Sequence, residues 1–144
     1  LKPAKIVLHL LDTNLGQELD CLHHWLTNTA NCLGLSDRTL LELDLVLNEV
    51  VPNIICYAYA EQESGDISLS LTENGEHVLL EIVDQGIPFN PFAQEEYQPG
   101  ISLASAPING RGIHLIKSFT VTQEYQRIGD SNRISLSFSK TSSV

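Results

Sequence analysis

The stretch Asp66-Ile67-Ser68-Leu69-Ser70-Leu71-Thr72-Glu73-Asn74-Gly75-Glu76-His77-Val78-Leu79-Leu80-Glu81-Ile82-Val83 decides the fold class. Ile67, Leu69 and Leu71 alternate with Ser68 and Ser70, a period of two that puts the apolar side chains on one face of a strand. Asn74-Gly75 supplies a tight hairpin turn, and His77 to Val83 is the return strand. Upstream the period is helical. Leu15, Leu19, Leu22, Leu26 and Ala30 recur at helical spacing, Asn14 with Gln17 has the form of a capping box, and Gly34 sits where that helix should stop. Ser36 is the candidate N-cap of a second, longer helix, predicted from Asp37 to Ala60. That helix is apolar around most of its circumference, which predicts cover on more than one side. Lys5 to Leu11 reads as a first strand.

Downstream of the hairpin, Asp84 to Asn109 is rich in Gly, Pro, Asn, Gln and Ser. It is longer than the structureless connections of compact domains, and such loops usually carry function. Ile113, Leu115, Ile116 and Phe119 predict a third helix entered through Gly110-Arg111-Gly112. Strands are predicted at Val121 to Ile128 and Arg133 to Ser139. The order β-α-α-β-β-loop-α-β-β reads as an α+β two-layer sandwich, a single domain over residues 1–144.

The 144 residues carry 18 acidic and 8 basic side chains, a formal net charge of −10. With no run of Lys or Arg, such a chain repels a phosphate backbone and an anionic membrane surface, so neither nucleic acid nor membrane is an expected partner. Cys21, Cys32 and Cys56 are odd in number and widely spaced, without a metal-ligand pattern. They read as reduced thiols of a cytoplasmic protein, packed as small hydrophobes. No apolar run is long enough to span a bilayer.

Three segments could carry chemistry. Glu49 and Asn53 stand one turn apart on a single face of the second helix, although that spacing is also found on ordinary solvated helix faces. Asp84-Gln85-Gly86-Ile87-Pro88-Phe89 puts a carboxylate at a strand end beside a glycine that lets a flat ligand approach the backbone; a capped turn has the same pattern. Gly110-Arg111-Gly112 at a helix start would present free N–H groups and a cation to a phosphate. His23, His24 and Trp25 on the first helix, His114 after the third segment, and Glu95 with Glu96 in the loop read as ordinary core or surface positions.

In this order and at these separations the three segments resemble the nucleotide-binding signature of the GHKL ATPase superfamily, over nearly the whole chain. Asn48-Glu49-Val50-Val51-Pro52-Asn53-Ile54-Ile55-Cys56-Tyr57-Ala58-Tyr59 looks like its N box. Asp84 to Pro91 looks like the first glycine box, and Asn109-Gly110-Arg111-Gly112-Ile113-His114-Leu115-Ile116 like the second. The Pro-Phe-Asn-Pro ending of the first box and the Gly-Arg-Gly-Ile form of the second are most similar to anti-sigma factor serine/threonine-protein kinases of the RsbW and SpoIIAB type. The resemblance implies the Bergerat ATP-binding fold, with a mixed, mainly antiparallel sheet and helices on one face. It implies ATP and Mg²⁺ as cofactors and a role for each matching residue. Asn53 would coordinate Mg²⁺, and Glu49 would be the catalytic base. Asp84 would accept from the adenine amino group, with Gly86 letting the base lie close. Gly110 and Gly112 would let the loop from Pro91 to Asn109 fold over the triphosphate as a lid, with Arg111 near the γ-phosphate.

The resemblance further implies a homodimeric, cytoplasmic serine protein kinase that phosphorylates a STAS-type anti-sigma antagonist and sequesters a sigma factor, with the first helix and first strand as its protein-binding surface. The alternative is a non-catalytic ATP-binding module, or the ATPase domain of a larger signalling protein such as a phosphatase fusion. One departure favours that alternative. Pro52 lies directly before Asn53, where proline removes an N–H bond to Asn48 and predicts a kink that changes the angle between Glu49 and Asn53. Tyr57 stands where many relatives carry His and is expected to pack beneath the site.

Overall fold

A computed structural model describes residues 3–11, 14–59, 64–93 and 108–140 of the chain. Strand β1 (Ala4–Leu11) leads into helices α1 (Leu15–Leu33) and α2 (Asp37–Asn53), and α2 continues into a wider π turn at Ile54–Ala58. The hairpin β2 (Ser64–Asn74) and β3 (His77–Asp84) follows, then a single 3₁₀ turn at Pro91–Ala93, helix α3 (Ile108–Phe119), and the hairpin β4 (Thr122–Ile128) and β5 (Ser131–Ser139). Both hairpins turn at glycines with positive φ, Gly75 at 65° and Gly129 at 58°.

The strands form one sheet in the order β1-β2-β3-β5-β4. The expected mixed, mainly antiparallel sheet is antiparallel at all four of these pairings. Two pairings are tight hairpins, which force that direction. Alternation then sorts the faces. Leu8 and Leu10, Ile67, Leu69 and Leu71, Val78, Leu80 and Ile82, and Ile134, Leu136 and Phe138 are all buried on one side. They share a single core with Leu22 and Leu26 of α1, with Leu43, Val46, Leu47 and Val50 of α2, and with Ile116 of α3. The opposite face, with Val7 46% exposed, is left to solvent in this chain. The two-layer α+β sandwich is therefore the observed architecture.

Helix α2 holds the centre of the helical layer, touching α1, α3 and β5, as its broad apolar surface requires. Its start is fixed twice. Ser36 Oγ accepts from Thr39 N at 3.1 Å, and the fully buried Thr39 hydroxyl donates to Ser139 O at 2.9 Å, tying the helix to the end of β5. Such a cap contributes about 1 kcal/mol. Gly34 ends α1 in the left-handed conformation (φ 67°), as predicted. The capping box at Asn14 does not form. The Asn14 amide instead donates to His9 O at 2.9 Å, tying the helix start back to β1. The three cysteines are exposed, not packed. The helical phase that turns Leu22, Leu26 and Ala30 inward turns Cys21 and Cys32 outward.

Pro52 does not break α2, which runs through it to Asn53, and Ile54 N donates to both Val50 O and Val51 O. The irregularity falls later than predicted. Past Asn53 the turns widen, with Tyr59 N donating to Ile54 O at 3.0 Å, so the regular helix ends short of the expected Ala60. Turns of this kind are frequent at functional sites.

Candidate nucleotide site

Asn53 and Glu49 both remain on α2, one turn apart. Asn53 is only 9% exposed. It lines a small pocket whose other walls are Val50, Ile54, Phe89, Pro91, Ile116 and Ile134, contributed by α2, the π turn, the segment after β3, α3 and β5. All of those walls are apolar. The Asn53 carboxamide has no hydrogen-bond partner among the described residues. Leaving a buried amide unsatisfied costs about 1–3 kcal/mol, so such a group calls for an explanation in a missing ligand. Glu49 is half-buried, and its carboxylate likewise has no ion-pair partner among the described residues.

Asp84 ends β3 at 1% exposure. Its Oδ1 accepts from Gly86 N at 2.9 Å and from Asn132 Nδ2 at 2.8 Å. Its Oδ2 accepts from no described residue. Burial pushes the carboxyl above the usual aspartate range, against the pull of the Asn132 and Gly86 hydrogen bonds and of the Arg127 guanidinium. Asn132 is itself fully buried. Its Nδ2 also donates to Ile87 O at 2.8 Å, while its Oδ1 accepts from Phe89 N, the Tyr125 hydroxyl and Arg127 Nη1. A second contact of Arg127 holds the Gly86 carbonyl at 2.7 Å.

The first glycine box docks directly on the π turn. Ile87 N donates to Ala58 O at 2.9 Å, and a Cβ on Gly86 would stand 2.3 Å from that same carbonyl oxygen. Only glycine permits this approach. Tyr59 fastens the same junction from the other side, its hydroxyl donating to Asp66 O at 2.6 Å and accepting from Gln85 N at 2.8 Å. The ring lies on Gly65, where a Cβ would come within 2.6 Å of it. Tyr57 stacks on Phe89 with ring centroids 5.2 Å apart and stays 38% exposed.

The buried carboxylate at the end of β3, braced on a glycine turn, and the buried orphan amide of α2 are joined through Phe89, which donates to Asn132 Oδ1 and lines the Asn53 pocket. The sequence matches the model of the histidine kinase-like ATPase domain over residues 14–138. The chain belongs to that family. Among curated proteins this ATPase domain is similar to the serine-protein kinase RsbW of Oceanobacillus iheyensis, 28% identical over 97 residues that cover 65% of this chain and 61% of the relative. The chain thus spans less than two thirds of that relative's length. Among solved structures it is similar to the blue-light activated histidine kinase of Erythrobacter litoralis, with a TM-score of 0.54 at 15% identity over 87% of this chain and 41% of that one. The histidine kinase domain of the same protein gives a TM-score of 0.51 at 14% identity, over 87% and 60% of the two chains. At those identities the likeness is one of fold.

In this ATPase domain the second glycine box lies further into its helix than predicted. Helix α3 starts at Ile108, so Gly110 is among its first three residues, whose N–H groups have no helical acceptors, and Arg111 and Gly112 follow. The Arg111 side chain and residues 94–107, which hold most of the predicted lid with Glu95 and Glu96, lie outside the described residues. His23 is engaged elsewhere, its Nδ1 3.2 Å from Asp44 Oδ1 across α1 and α2. No three His, Cys, Asp or Glu residues among those described gather into a metal site. No described helix is long and apolar enough to cross a membrane. Asn132, Arg127 and Tyr125 were missed by sequence reasoning. The last strand was predicted from Arg133, but it starts at Ser131, and that difference brings Asn132 into register opposite Asp84.

Proposed function

We propose that this domain binds ATP with Mg²⁺ and transfers the terminal phosphoryl group to a serine of a protein partner, acting as an anti-sigma factor kinase in bacterial partner switching. The observation that carries the reading is the buried Asp84 carboxylate, whose Oδ1 is held by Gly86 and Asn132 and whose Oδ2 is left without a donor. An aromatic amine is the donor such a position suits, and adenine carries one on its edge. The orphan Asn53 amide fits an oxygen ligand for Mg²⁺, an ion that commonly takes few protein ligands and completes its shell with phosphates and water. Bound there, the metal would supply neutralisation of phosphate charge.

The remaining work falls to the chain. Glu49, a turn before Asn53, would orient a serine hydroxyl and accept its proton. The first-turn N–H groups of α3 suit phosphate oxygens. The similarity to a serine-protein kinase supports transfer to serine, and the proposal takes a STAS-type antagonist and a sigma factor as partners and a cytoplasmic homodimer as the working form.

The second reading, a nucleotide-gated binding module without transfer, rests on Pro52. Its N-box helix nevertheless runs on through Asn53, so Glu49 and Asn53 share one regular element. Labelled ATP, the full chain and a serine-bearing STAS protein decide between the two. Glu49→Gln is expected to keep MgATP affinity and to lower transfer by about 10² to 10⁴. If the unmodified protein binds MgATP and phosphorylates no antagonist, the module reading replaces the kinase.

A further inference from the structure

One row of residues crosses the sheet at its site end, Ile67 on β2, Asp84 on β3, Asn132 on β5 and Arg127 on β4, each directly opposite the next. Its two central members are buried. Asn132 uses its whole amide. Two acceptors, Asp84 Oδ1 and Ile87 O, take its N–H groups, and three donors, Phe89 N, Tyr125 and Arg127, converge on its oxygen. Reversing the amide would set its N–H groups against Phe89 N and Arg127 and its oxygen against Asp84 Oδ1 and Ile87 O. The neighbours therefore dictate the orientation that presents a donor to Asp84. With Gly86 N on the same oxygen, Oδ1 is spent and the acceptor left over is Oδ2. Arg127 grips this arrangement from the edge strand, holding Gly86 O at 2.7 Å and Gly129 O at 3.2 Å while reaching Asn132 Oδ1 at 3.3 Å.

We propose that Asn132 and Arg127 are positioning residues that make the Asp84 pocket selective for purines carrying a 6-amino group, Asn132 by fixing Oδ2 as the open acceptor and Arg127 by polarising Asn132 and pinning the Gly86 carbonyl. This rests on the nucleotide-binding reading above. A 6-oxo purine would bring a carbonyl oxygen against Oδ2, two acceptors facing each other in a buried site, whereas a 6-amino purine supplies the missing donor. The charged and titratable groups coupled to Asp84 are Arg127 from β4 and Tyr59 just after the π turn, and Asp66 of β2 acts on Tyr59. Arg127 is the cation of that set. Removing it raises the pH at which Asp84 takes up a proton and ceases to be an acceptor.

The test is calorimetric titration of the full chain with MgATP and with MgITP, whose base carries a 6-oxo group, between pH 5 and 8. The unmodified protein should prefer ATP by about a hundredfold or more. Arg127→Met should cut that preference by about tenfold and move the acid midpoint of ATP binding upward, because a buried carboxylate loses its cation. Arg127→Lys, which keeps the charge, should recover part of both. Asn132→Leu should cut the preference at least as far as Arg127→Met does. If its circular dichroism shows that Asn132→Leu does not fold, Arg127→Met decides alone, since Arg127 lies on an exposed edge strand. Folded variants with the unmodified preference and the unmodified acid midpoint overturn the proposal and leave nucleotide binding standing. Failure of the unmodified protein to bind ATP at all overturns both.

Discussion

Asn132 Nδ2 donates to Asp84 Oδ1 at 2.8 Å, joining residues 48 positions apart in the sequence that stand directly opposite each other on β5 and β3. The bond has a thermodynamic counterpart. Because burial raises the Asp84 pKa above the ordinary aspartate value, the native state holds that proton more tightly than the unfolded chain does. Native protein then binds more protons between the two values, so stability falls as pH rises from about 4 through the raised value, and the cost of the buried charge is fully present above it. Asp84→Asn keeps an oxygen for Gly86 N and Asn132 Nδ2 but carries no charge. Urea unfolding should show its stability gaining on the unmodified protein from pH 4 to pH 7, while its preference for ATP falls. A constant difference across that range would remove Asp84 ionisation from the energetics.

Binding of MgATP should stabilise the fold by RT ln(1 + [L]/Kd), about 2.7 kcal/mol at a hundredfold excess of ligand over Kd. Thermal melts with and without millimolar MgATP measure it. An unchanged midpoint would reject nucleotide binding by this chain.

Asn53→Ala removes a buried amide that no described residue satisfies, so the apo protein should be no less stable, or more stable by about 1 kcal/mol. The same change should weaken MgATP more than magnesium-free ATP. Separate titrations with and without the metal check it. Equal losses in both would show that Asn53 serves the nucleotide and not the ion.

Gly86→Ala sets a Cβ 2.3 Å from the Ala58 carbonyl oxygen, a backbone atom with little freedom to withdraw. The expected loss is about 1–3 kcal/mol, the range for overpacking, and the glycine box should come off the π turn. Chemical denaturation gives the loss, and hydrogen exchange at the Ile87 amide reports the undocking. An unshifted denaturation midpoint would mean that the junction relaxes freely.

The sequence by itself determined the elements whose signals are local. Alternation over Ile67, Leu69 and Leu71, Asn74-Gly75 at the turn, Ser36 and Gly34 at the helix ends and the Glu49 to Asn53 spacing all act within a few residues. They are enough to place the hairpin, the helices and the family motifs. Asn14, Pro52 and Asn132 were decided otherwise. The Asn14 amide is taken by His9 O, a strand acceptor that a capping pattern does not contain. The change at the end of α2 falls after Asn53, where the wider turn presents Ala58 O to Ile87 N. Asn132 carries no local pattern at all, because its partners come from the end of β3, the turn after it and the edge strand β4. Periodicity and capping are read along the chain, whereas a saturated buried amide is defined by donors and acceptors that only the sheet register brings within 3 Å or so of one another.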